Sequence, residues 1–430
     1  MSLLLYNLFL ALYKTGVLLL SIWNSKARLW IKGRKTFPKV DYSSAGHNVV
    51  WMHCASLGEF EQGRPLLEEI KLYYRACKIV VTFFSPSGYE IRKGFNGADH
   101  VFYLPHDSPR NAQKFIGEIN PSLVIWIKYE YWYYYLYELR KKNIPVLLVS
   151  GVFRENMPFF KWYGYLWKKM LACFVHFFVQ NQQSKNILER LVSADKITSS
   201  GDTRFDRVIT IAEKFEHISA IENFCGNSQV IVAGSTWEDD EAEWTHYVKS
   251  HPEIKFIIAP HEIDKENLAF VKKQFPGSIF YSEWMRVVDE KPEISSQRSE
   301  VRSKKSLSNC LIIDNIGMLS RLYYYASVCF VGGGFGYEGL HNILEAAVYG
   351  KPVIFGPEYE KNFEAVEMIE RGGAISIENA IELEKVLNKL LSDEVEIKRR
   401  GEASKKYVYT QSGATKIIID FIQKNLLLTN

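Results

Sequence analysis

Cysteine is scarce in this chain, and its spacing does not fit metal or disulfide chemistry. Six cysteines are scattered over 430 residues, and none lies in a Cys-x-x-Cys pair. This argues against a zinc site and a disulfide framework, and it fits a reducing cytosolic setting. The net charge is only +4, a weak signal over a whole chain, so we expect no nucleic-acid partner.

Acidic residues are missing from the first forty positions. The stretch Leu3–Trp23 is strongly apolar but carries Lys14 at its middle, and it lacks the basic start of a signal peptide. Six cations follow before the first acid, Asp41: Lys26, Arg28, Lys32, Arg34, Lys35 and Lys39. We expect residues 1–40 to attach the chain to the anionic cytoplasmic face of a bilayer. A true transmembrane span and a soluble core helix stay open as alternatives.

The first half of the chain alternates apolar runs with helical patterns, which predicts a parallel, doubly wound α/β sheet. Strands are expected at Val49–Cys54, Lys78–Phe84, Val101–Leu104, Leu123–Ile127, Val146–Ser150 and Phe174–Gln180. A helix is expected from Pro65 to Tyr74. Hydrophobic residues make up 47% of the chain, and its length suffices for two or three domains.

Glu59 stands just past the first predicted strand, at a glycine turn before a helix. Ligands of such sheets gather at the carboxyl ends of strands, where a carboxylate can take a proton. A carboxylate at a helix start can also serve only the helix dipole. The spacing alone does not separate these two interpretations.

Aromatic residues concentrate in two segments, Tyr129–Tyr137 and Phe159–Met170, where lysines accompany them. Aromatics interleaved with cations can bind nucleic acid or lie in a membrane interface. Packing in the core and between helices is the interpretation we favour for most of them.

The second half repeats the α/β pattern. Strands are expected around Gln229–Ala233, Lys255–Ala259, Ser278–Tyr281 and Leu311–Asp314, and a helix at Ser320–Ala326. Asp289–Ser308 is charged and serine-rich, which predicts a surface loop or a disordered insertion. Thr198–Asn227 is the expected link between the two sheets. A final helix, Ala403–Leu426, is expected to pack back on the first domain.

A glycine-rich loop after the strand end Cys329–Val331 carries the chain's clearest ligand signal. Gly332, Gly333 and Gly334 let a backbone approach a ligand closely, and a helix opening near His341 would offer free N–H groups to a phosphate. His341, Asn342 and Glu345 are polar residues on the first turn of that expected helix. A tight turn without a ligand is the alternative.

Taken in order, these motifs resemble the 3-deoxy-D-manno-octulosonic acid (Kdo) transferases of lipopolysaccharide assembly. The resemblance covers nearly the whole chain. It rests on the segments His53–Glu59, Ser85–Tyr89, Tyr103–Asp107, Gly234–Trp237, Ala259–His261, Gly332–Gly334, His341–Glu345 and Gly356–Phe363.

The resemblance implies a GT-B fold, with two Rossmann-like doubly wound domains, a cleft between them and an N-terminal membrane-associated helix. The implied domains are 1–40 (anchor), 41–215 (acceptor-binding), 216–405 (donor-binding) and 406–430 (a helix packing back). It implies inverting transfer from CMP-Kdo to the lipid A precursor lipid IVA, with no metal and no cofactor. The implied location is the cytoplasmic face of the bacterial inner membrane.

By the same resemblance Glu59 is the general base. The implied donor-binding residues are Ser235, Thr236, His261, Gly317, Met318, Gly333, Gly334, His341, Asn342 and Glu345. Candidates on the acceptor side are Ser56, Gly58, Lys128, Glu130 and Arg154.

The sequence departs from the family pattern at several of these positions. Lys128 replaces an acid, Trp132-Tyr133-Tyr134 replaces Trp-Pro-Asn, and Arg154 is a candidate for a missing arginine's role. Two alternatives therefore stay open: another GT-B enzyme, such as a UDP-sugar transferase or a nucleotide-sugar 2-epimerase, and a non-catalytic membrane scaffold.

Overall fold

The structure is a computed structural model that describes residues 2–40, 48–128, 130–289 and 308–428. The chain divides into two compact units. Unit 1 comprises Met1–Arg207 and Ser412–Asn430, and unit 2 comprises Val208–Gln411. The predicted insertion at Asp289–Ser308 falls almost wholly outside the described residues, as does Tyr129.

Unit 1 is built on a seven-stranded parallel sheet in the order β3-β2-β1-β4-β5-β6-β7. Its strands are β1 (Val49–Cys54), β2 (Lys78–Phe83), β3 (His100–Tyr103), β4 (Leu123–Ile127), β5 (Val146–Gly151), β6 (His176–Val179) and β7 (Ile197–Ser199). Alternate residues of these strands enter separate apolar clusters, Trp51 and Trp126 on one side and Met52 and Ile125 on the other. Both faces of the sheet are therefore buried, which explains the continuous apolar runs in the sequence.

The helices of unit 1 cover this sheet. They are α1 (Leu3–Leu20), α2 (Ser25–Gly33), α3 (Leu57–Tyr73), α4 (Pro86–Arg92), α5 (Pro109–Ile119), α6 (Tyr133–Lys141), α7 (Tyr165–Leu171), α8 (Gln182–Leu188) and α9 (Thr203–Glu213), which continues into unit 2. Several begin at a polar cap; Ser108, for example, accepts a hydrogen bond from the Asn111 N–H before α5.

The apolar helix α1 lies along unit 1 by one face only. Tyr6 and Leu10 are buried, and the Tyr6 hydroxyl donates to Asp107 Oδ2 at 2.6 Å. The Tyr134 hydroxyl donates to Asn7 Oδ1, also at 2.6 Å. Only 11% of the helix is buried, so the alternative of a soluble core helix is wrong. Its length and mean hydropathy of 1.8 meet the composition of a membrane span.

Unit 2 repeats the architecture with a second seven-stranded parallel sheet, ordered β10-β11-β9-β8-β12-β13-β14. Its strands are β8 (Val230–Thr236), β9 (Lys255–Pro260), β10 (Ile279–Phe280), β11 (Cys310–Ile312), β12 (Val328–Val331), β13 (Val353–Phe355) and β14 (Ala374–Ser376). Its helices are α10 (Ser219–Cys225), α11 (Glu238–Ser250), α12 (Lys265–Gln274), α13 (Tyr281–Asp289), α14 (Leu319–Leu322), α15 (Leu344–Ala347), α16 (Phe363–Glu370), α17 (Ala380–Leu391) and α18 (Glu394–Thr410). The prediction of two doubly wound α/β sheets in tandem is confirmed.

Each sheet has one point where the strand order reverses direction. It lies between β1 and β4 in unit 1 and between β8 and β12 in unit 2. The crevice outside the carboxyl ends of strands at such a point is where open α/β sheets bind ligands. The topology therefore selects the loops after β1, β4, β8 and β12 before any side chain is considered.

Four sequence expectations are corrected. The last helix is not continuous: α18 ends at Thr410, and α19 (Ala414–Lys424) begins after Gly413, which takes a φ of 111°. The helix expected near His341 is only α15, which begins at Leu344. Helix α3 begins at Leu57, well before Pro65. The expected link Thr198–Asn227 is largely helical, in α9 and α10.

Candidate active site

Glu59 lies where strand β1 ends and helix α3 begins. It is the third residue of α3, and its Oε2 accepts a hydrogen bond of 2.5 Å from the Ala55 N–H. The side chain is nearly buried, at 8% exposure, and it lies on the β1 side of the point between β1 and β4 where the strand order reverses. The two interpretations of Glu59 are thus compatible, because one oxygen completes the helix start and thereby orients the carboxylate. Ser56 precedes α3 as its N-cap and Gly58 lies in its first turn.

Glu130 follows strand β4 on the other side of the same switch and contacts a buried histidine. Its Oε2 lies 3.1 Å from His53 Nε2, and the Trp132 indole N–H donates to the same oxygen at 3.1 Å. His53 Nδ1 lies 2.9 Å from the Thr82 hydroxyl oxygen. Because a carboxylate only accepts, His53 carries a proton on Nε2.

The carboxylates of Glu59 and Glu130 both affect the pKa of the same buried residue, Cys54. Burial raises the pKa of the Cys54 thiol well above its ordinary value, and the charges of Glu59 and Glu130 raise it further. Cys54 is the last residue of β1. Negative charge therefore gathers around the end of this strand, where a hydroxyl group of a substrate could lose a proton.

The basic N-terminal segment reaches the same edge of the sheet. Arg34 follows α2, and its guanidinium donates to the carbonyls of Phe84 and Leu104, at 2.7 and 2.8 Å. Those residues follow β2 and β3. Burial lowers the pKa of Arg34 to about 10, although the charge of Glu130 opposes this. Arg34 thus joins the N-terminal helices to the loops after β2 and β3, and it also places a positive charge near Glu130.

Lys128 and Arg154, the remaining acceptor-side candidates, differ in their surroundings. Lys128 follows β4 with a φ of 56° and acts on the buried Asp202. Burial raises the pKa of Asp202, but the charges of Arg204 and Lys128 and its hydrogen bonds outweigh it, so the pKa lies below its usual value. Arg154 is exposed in the loop after β5. A non-glycine residue at positive φ costs energy, and such strain concentrates at functional sites.

In unit 2 the glycine loop after β12 packs closely on its own surroundings. A Cβ on Gly332 would lie 2.4 Å from the Ser235 carbonyl oxygen, and one on Gly334 would lie 2.7 Å from the Gly356 nitrogen. Gly333 takes a φ of 89°, and its N–H donates to Asp240 Oδ2 at 2.8 Å. These N–H and packing contacts are internal, so the expected cradle of backbone N–H groups at Gly333 is already occupied by a carboxylate.

Asp240 is the buried centre of this loop. It is fully buried, and its Oδ2 also accepts from the Trp237 N–H at 2.9 Å. Burial raises the pKa of Asp240 to about 6, although hydrogen bonds from backbone N–H groups lower it. The next residue, Glu241, accepts from the Thr236 hydroxyl at 2.8 Å, and burial raises its pKa to about 7. The Thr236 hydroxyl is therefore turned to an internal partner.

Two histidines and a tryptophan form a stack beside the loop. The rings of Trp237 and His261 lie 4.5 Å apart, and those of His261 and His341 lie 4.4 Å apart. The Trp237 indole N–H donates to His341 Nε2 at 3.0 Å. Burial and, to a smaller extent, the charge of His261 lower the pKa of His341 to about 4. His341 is therefore neutral at physiological pH, and its proton is on Nδ1, which makes that atom an uncharged donor.

The other donor-side candidates lie in segments that follow strands β8, β11 and β12 of the same sheet. Ser235 sits at the β8–β9 bulge with a φ of 54°. The Asn342 amide donates to Glu345 Oε1 at 3.2 Å. Gly317 (φ 94°) and Met318 lie between β11 and α14. Unit 2 therefore brings Ser235, Thr236, His261, Gly333, Gly334 and His341 to the ends of β8, β9 and β12, and Asn342 and Glu345 follow along the chain at the start of α15.

Sequence reasoning passed over three residues of these sites: His53, Trp237 and Asp240. His53 and Trp237 lay inside the quoted motifs without a role. Asp240 was given no role, although its position three residues after Trp237, in the first turn of a helix, is a capping pattern that could have marked it. In the described parts of the chain, no cluster of three His, Cys, Asp or Glu side chains is placed to hold a metal ion. The expectation that no metal is needed stays a prediction.

Comparisons with known proteins bear on both units. Residues 29–207 match the family model described as 3-deoxy-D-manno-octulosonic-acid transferase (kdotransferase). The 3-deoxy-D-manno-octulosonic acid transferase of Aquifex aeolicus is 27% identical over 372 residues, which cover 85% of this chain and 92% of that protein.

A bifunctional glycosyltransferase/methyltransferase of Fusobacterium nucleatum is 28% identical over 369 residues, 80% of this chain but 53% of that protein. The chain thus spans about half the length of this relative. Among solved structures, UDP-GlcNAc 2-epimerase from Neisseria meningitidis aligns with a TM-score of 0.62 over 88% of this chain and 100% of its own, at 16% identity. Such a likeness supports the GT-B fold and nothing finer.

The family match in the first unit and the relatives that extend across the second lead to one assignment. The chain is similar to 3-deoxy-D-manno-octulosonic acid transferases over most of its length, and it is a glycosyltransferase of lipopolysaccharide biosynthesis.

Proposed function

We propose that the protein transfers Kdo from CMP-Kdo to the lipid A precursor lipid IVA, with inversion at the anomeric carbon. The observation that carries this proposal is the position of Glu59. Glu59 is a carboxylate beside the switch point, oriented by the Ala55 N–H at the end of β1, in a chain that is similar to Kdo transferases.

Glu59 would act as general base in unit 1. It takes the proton of an acceptor hydroxyl, whose oxygen forms a bond to the anomeric carbon of Kdo. The bond from that carbon to the phosphate oxygen breaks, and CMP leaves with the electron pair. Glu130 would bind polar groups of the acceptor, because it is 20% exposed, and the buried His53 would hold it in position through the 3.1 Å contact with Oε2.

The unit 2 edge would hold CMP. His341 supplies a neutral Nδ1–H donor, and the Asn342–Glu345 pair offers a carboxylate that suits ribose hydroxyls. Ser235 stands in a left-handed conformation beside the glycine loop, where its hydroxyl can reach a phosphate. Gly317 and Met318 are candidates for contact with the cytosine edge. No metal or cofactor enters the proposal.

The N-terminal helices would hold unit 1 on the cytoplasmic face of the inner membrane. Helix α1 is bound to unit 1 through Tyr6 and Asn7 and leaves leucines such as Leu4, Leu8 and Leu12 exposed. A helix with one face bound to protein and the other apolar suits a position in the membrane interface rather than a span.

The test is reaction of the purified full-length protein with CMP-Kdo and lipid IVA, followed by product mass and CMP release. Addition of Kdo is the expected result, and the mass also gives the number of Kdo units. Absence of product with folded protein would overturn the proposal. Thermal stabilisation by UDP in preference to CMP would instead favour a UDP-sugar transferase or a nucleotide-sugar 2-epimerase.

A further inference from the structure

A turn in unit 1 displays a tryptophan to solvent. Trp162 follows a 3₁₀ turn, Pro158–Phe160, and precedes α7, and its side chain is 95% exposed. Phe159 and Leu166, on either side, are buried in the core. The segment is therefore anchored in the core at both ends. The interpretation of its aromatic residues as core residues holds for Phe159 but not for Trp162.

The turn that carries Trp162 is closed by backbone hydrogen bonds. The Gly164 N–H donates to the Lys161 carbonyl at 2.9 Å, and the Lys161 N–H donates to the Pro158 carbonyl at 3.2 Å. A Cβ on Gly164 would lie 2.3 Å from the Pro158 oxygen, so only glycine closes this turn. The indole is presented from an ordered backbone, which reduces the conformational entropy lost when it binds something.

The surroundings of Trp162 are cationic and aromatic. No acidic residue occurs between Glu155 and Glu189. Lys161, Lys168 and Lys169 accompany the exposed Tyr163 and Tyr165, and the Lys169 ammonium lies 4.6 Å from the centre of the Tyr165 ring. Tryptophan and tyrosine with lysine are the residues enriched at membrane–water interfaces, and lysines there attract anionic lipid.

This surface is continuous with the face that binds α1. Tyr133 lies 6.1 Å from Tyr6 of α1 and stacks on Tyr137 at 5.7 Å, and Lys169 interacts electrostatically with both Tyr133 and Tyr137. Residues 2–40 also contain no acid. One acid-poor aromatic belt therefore joins α1, α6 and the Trp162 turn.

The belt lies at the carboxyl edge of the first sheet. The Trp162 turn follows β5, and Asp107, which binds α1, follows β3. In a parallel sheet these ends share one edge, which is also the edge of Glu59.

We propose that the turn Lys161–Lys169 is a second membrane-contact element, which inserts Trp162 into the interface of an anionic bilayer beside α1. The inference rests on the proposed membrane attachment of α1 and adds a second point of contact. Two points of contact fix the tilt of unit 1, so that the sheet edge with Glu59 faces the lipid surface.

The test measures co-sedimentation of the full-length protein with vesicles of phosphatidylglycerol and phosphatidylcholine in equal parts, and with phosphatidylcholine alone. We expect Trp162→Ala to weaken binding to the anionic vesicles about tenfold, since one large apolar side chain is withdrawn. Lys168→Ala with Lys169→Ala should weaken binding to anionic but not neutral vesicles. Ile381→Ala, an 82% exposed apolar residue of unit 2, is the matched control and should bind as wild type.

The outcomes separate this inference from the proposed attachment. If wild type binds but Trp162→Ala binds equally well, the second contact is wrong and the attachment by α1 stands. If wild type binds neither vesicle, both fail. If Trp162→Ala changes the sedimentation coefficient of the vesicle-free protein, the turn is a protein–protein interface and the inference is overturned.

Discussion

The two units use the same topology to build different electrostatic environments. At the switch point of unit 1, two carboxylates lie after neighbouring strands: Glu59 accepts from the Ala55 N–H, and Glu130 contacts His53. At the switch point of unit 2, the carboxylate Asp240 is buried beneath the loop, and His341, which is neutral at physiological pH, stacks on His261 beside the loop. The same fold thus provides a proton acceptor in one unit and an uncharged donor, His341, in the other.

The two units differ because different loop groups form hydrogen bonds within the unit. In unit 2 the Gly333 N–H is bound to Asp240, and its glycines are demanded by packing. In unit 1 the Ala55 N–H donates to one oxygen of Glu59, Oε2, and so holds the carboxylate at the end of β1. A site that takes a proton needs a carboxylate, whereas a site that holds a phosphate needs hydrogen-bond donors without negative charge, and substitutions in each unit can test both assignments.

The largest expected effect is on the unit 1 base. Glu59→Gln keeps an oxygen that can accept from the Ala55 N–H but removes the proton acceptor. Turnover should fall about 10²- to 10⁴-fold, with little change in CMP affinity or unfolding temperature. Glu69→Gln, on the same helix, is the control and should react as wild type. Wild-type turnover in Glu59→Gln would show that Glu59 is not the general base.

The next effect concerns the packing of the unit 2 loop. Gly332→Ala would place a Cβ 2.4 Å from the Ser235 oxygen and 2.7 Å from Asp240 Oδ2, so the loop must shift. We expect a loss of about 1–3 kcal/mol of unfolding free energy, measured by denaturant titration, and loss of stabilisation by CMP. Gly277→Ala is the control, because a Cβ there meets no atom within 4 Å. Equal stability of the two variants would show that the loop is loosely packed.

The buried acids of unit 2 make its stability depend on pH. Burial raises the pKa of Glu241 from 4.5 to about 7, so the folded state binds this proton more tightly than the unfolded chain. Stability is therefore lost as pH rises from about 4.5 through 7, by about 3 kcal/mol for this group.

In Glu241→Gln this loss should be absent, while the contributions of other buried groups, among them Asp240, should remain. Denaturant titrations at pH 5 and pH 8 check this: the variant should lose less stability than wild type between the two. Glu243→Gln on the same helix should keep the wild-type slope. An unchanged slope in Glu241→Gln would mean that this acid is not buried in its charged form.

The smallest effect concerns the tautomer of His341. Trp237→Phe keeps a ring against His261 but removes the N–H that donates to His341 Nε2. We expect about fivefold weaker CMP binding by calorimetry, the equivalent of one hydrogen bond. The ¹⁵N shifts of the His341 ring should change from one tautomer to a mixture. Trp284→Phe, which removes an indole donor to the Ala220 carbonyl, should alter neither readout.

The sequence predicted the sheets better than the loops, for a physical reason. Strands buried on both faces must be apolar throughout, so β1, β2, β4 and β5 were visible as continuous runs. The short edge strands β7 and β14, of three residues each, carry too little pattern to be recognised. The expected helix at His341 failed because polar residues after glycines resemble a helix start, while the backbone here folds back, with the His341 N–H donating to the Gly332 carbonyl.

The candidate sites were predictable in position but not in detail. Strand ends can be read from the sequence, and most candidate residues lie in the loops and helix starts that follow them. Burial cannot be read from it, so Asp240 and the exposed Asp239 look alike although only Asp240 accepts the Gly333 N–H. Pairings across long separations, such as Trp237 with His341, depend on the strand order, which local pattern does not reveal.

The return of the chain to unit 1 through α19 has a consequence for biosynthesis. Ile418, Ile419 and Ile422 belong to the same apolar cluster as Met52 and Ile125 of the first sheet, and the Thr415 N–H donates to Asp206 at 2.7 Å. A ribosome makes these residues after all of unit 2. The unit that begins the chain therefore keeps an uncovered apolar surface during about 200 residues of further synthesis, on the order of 10–40 s. During that interval α1, already made, is free to reach a membrane before its own unit is complete.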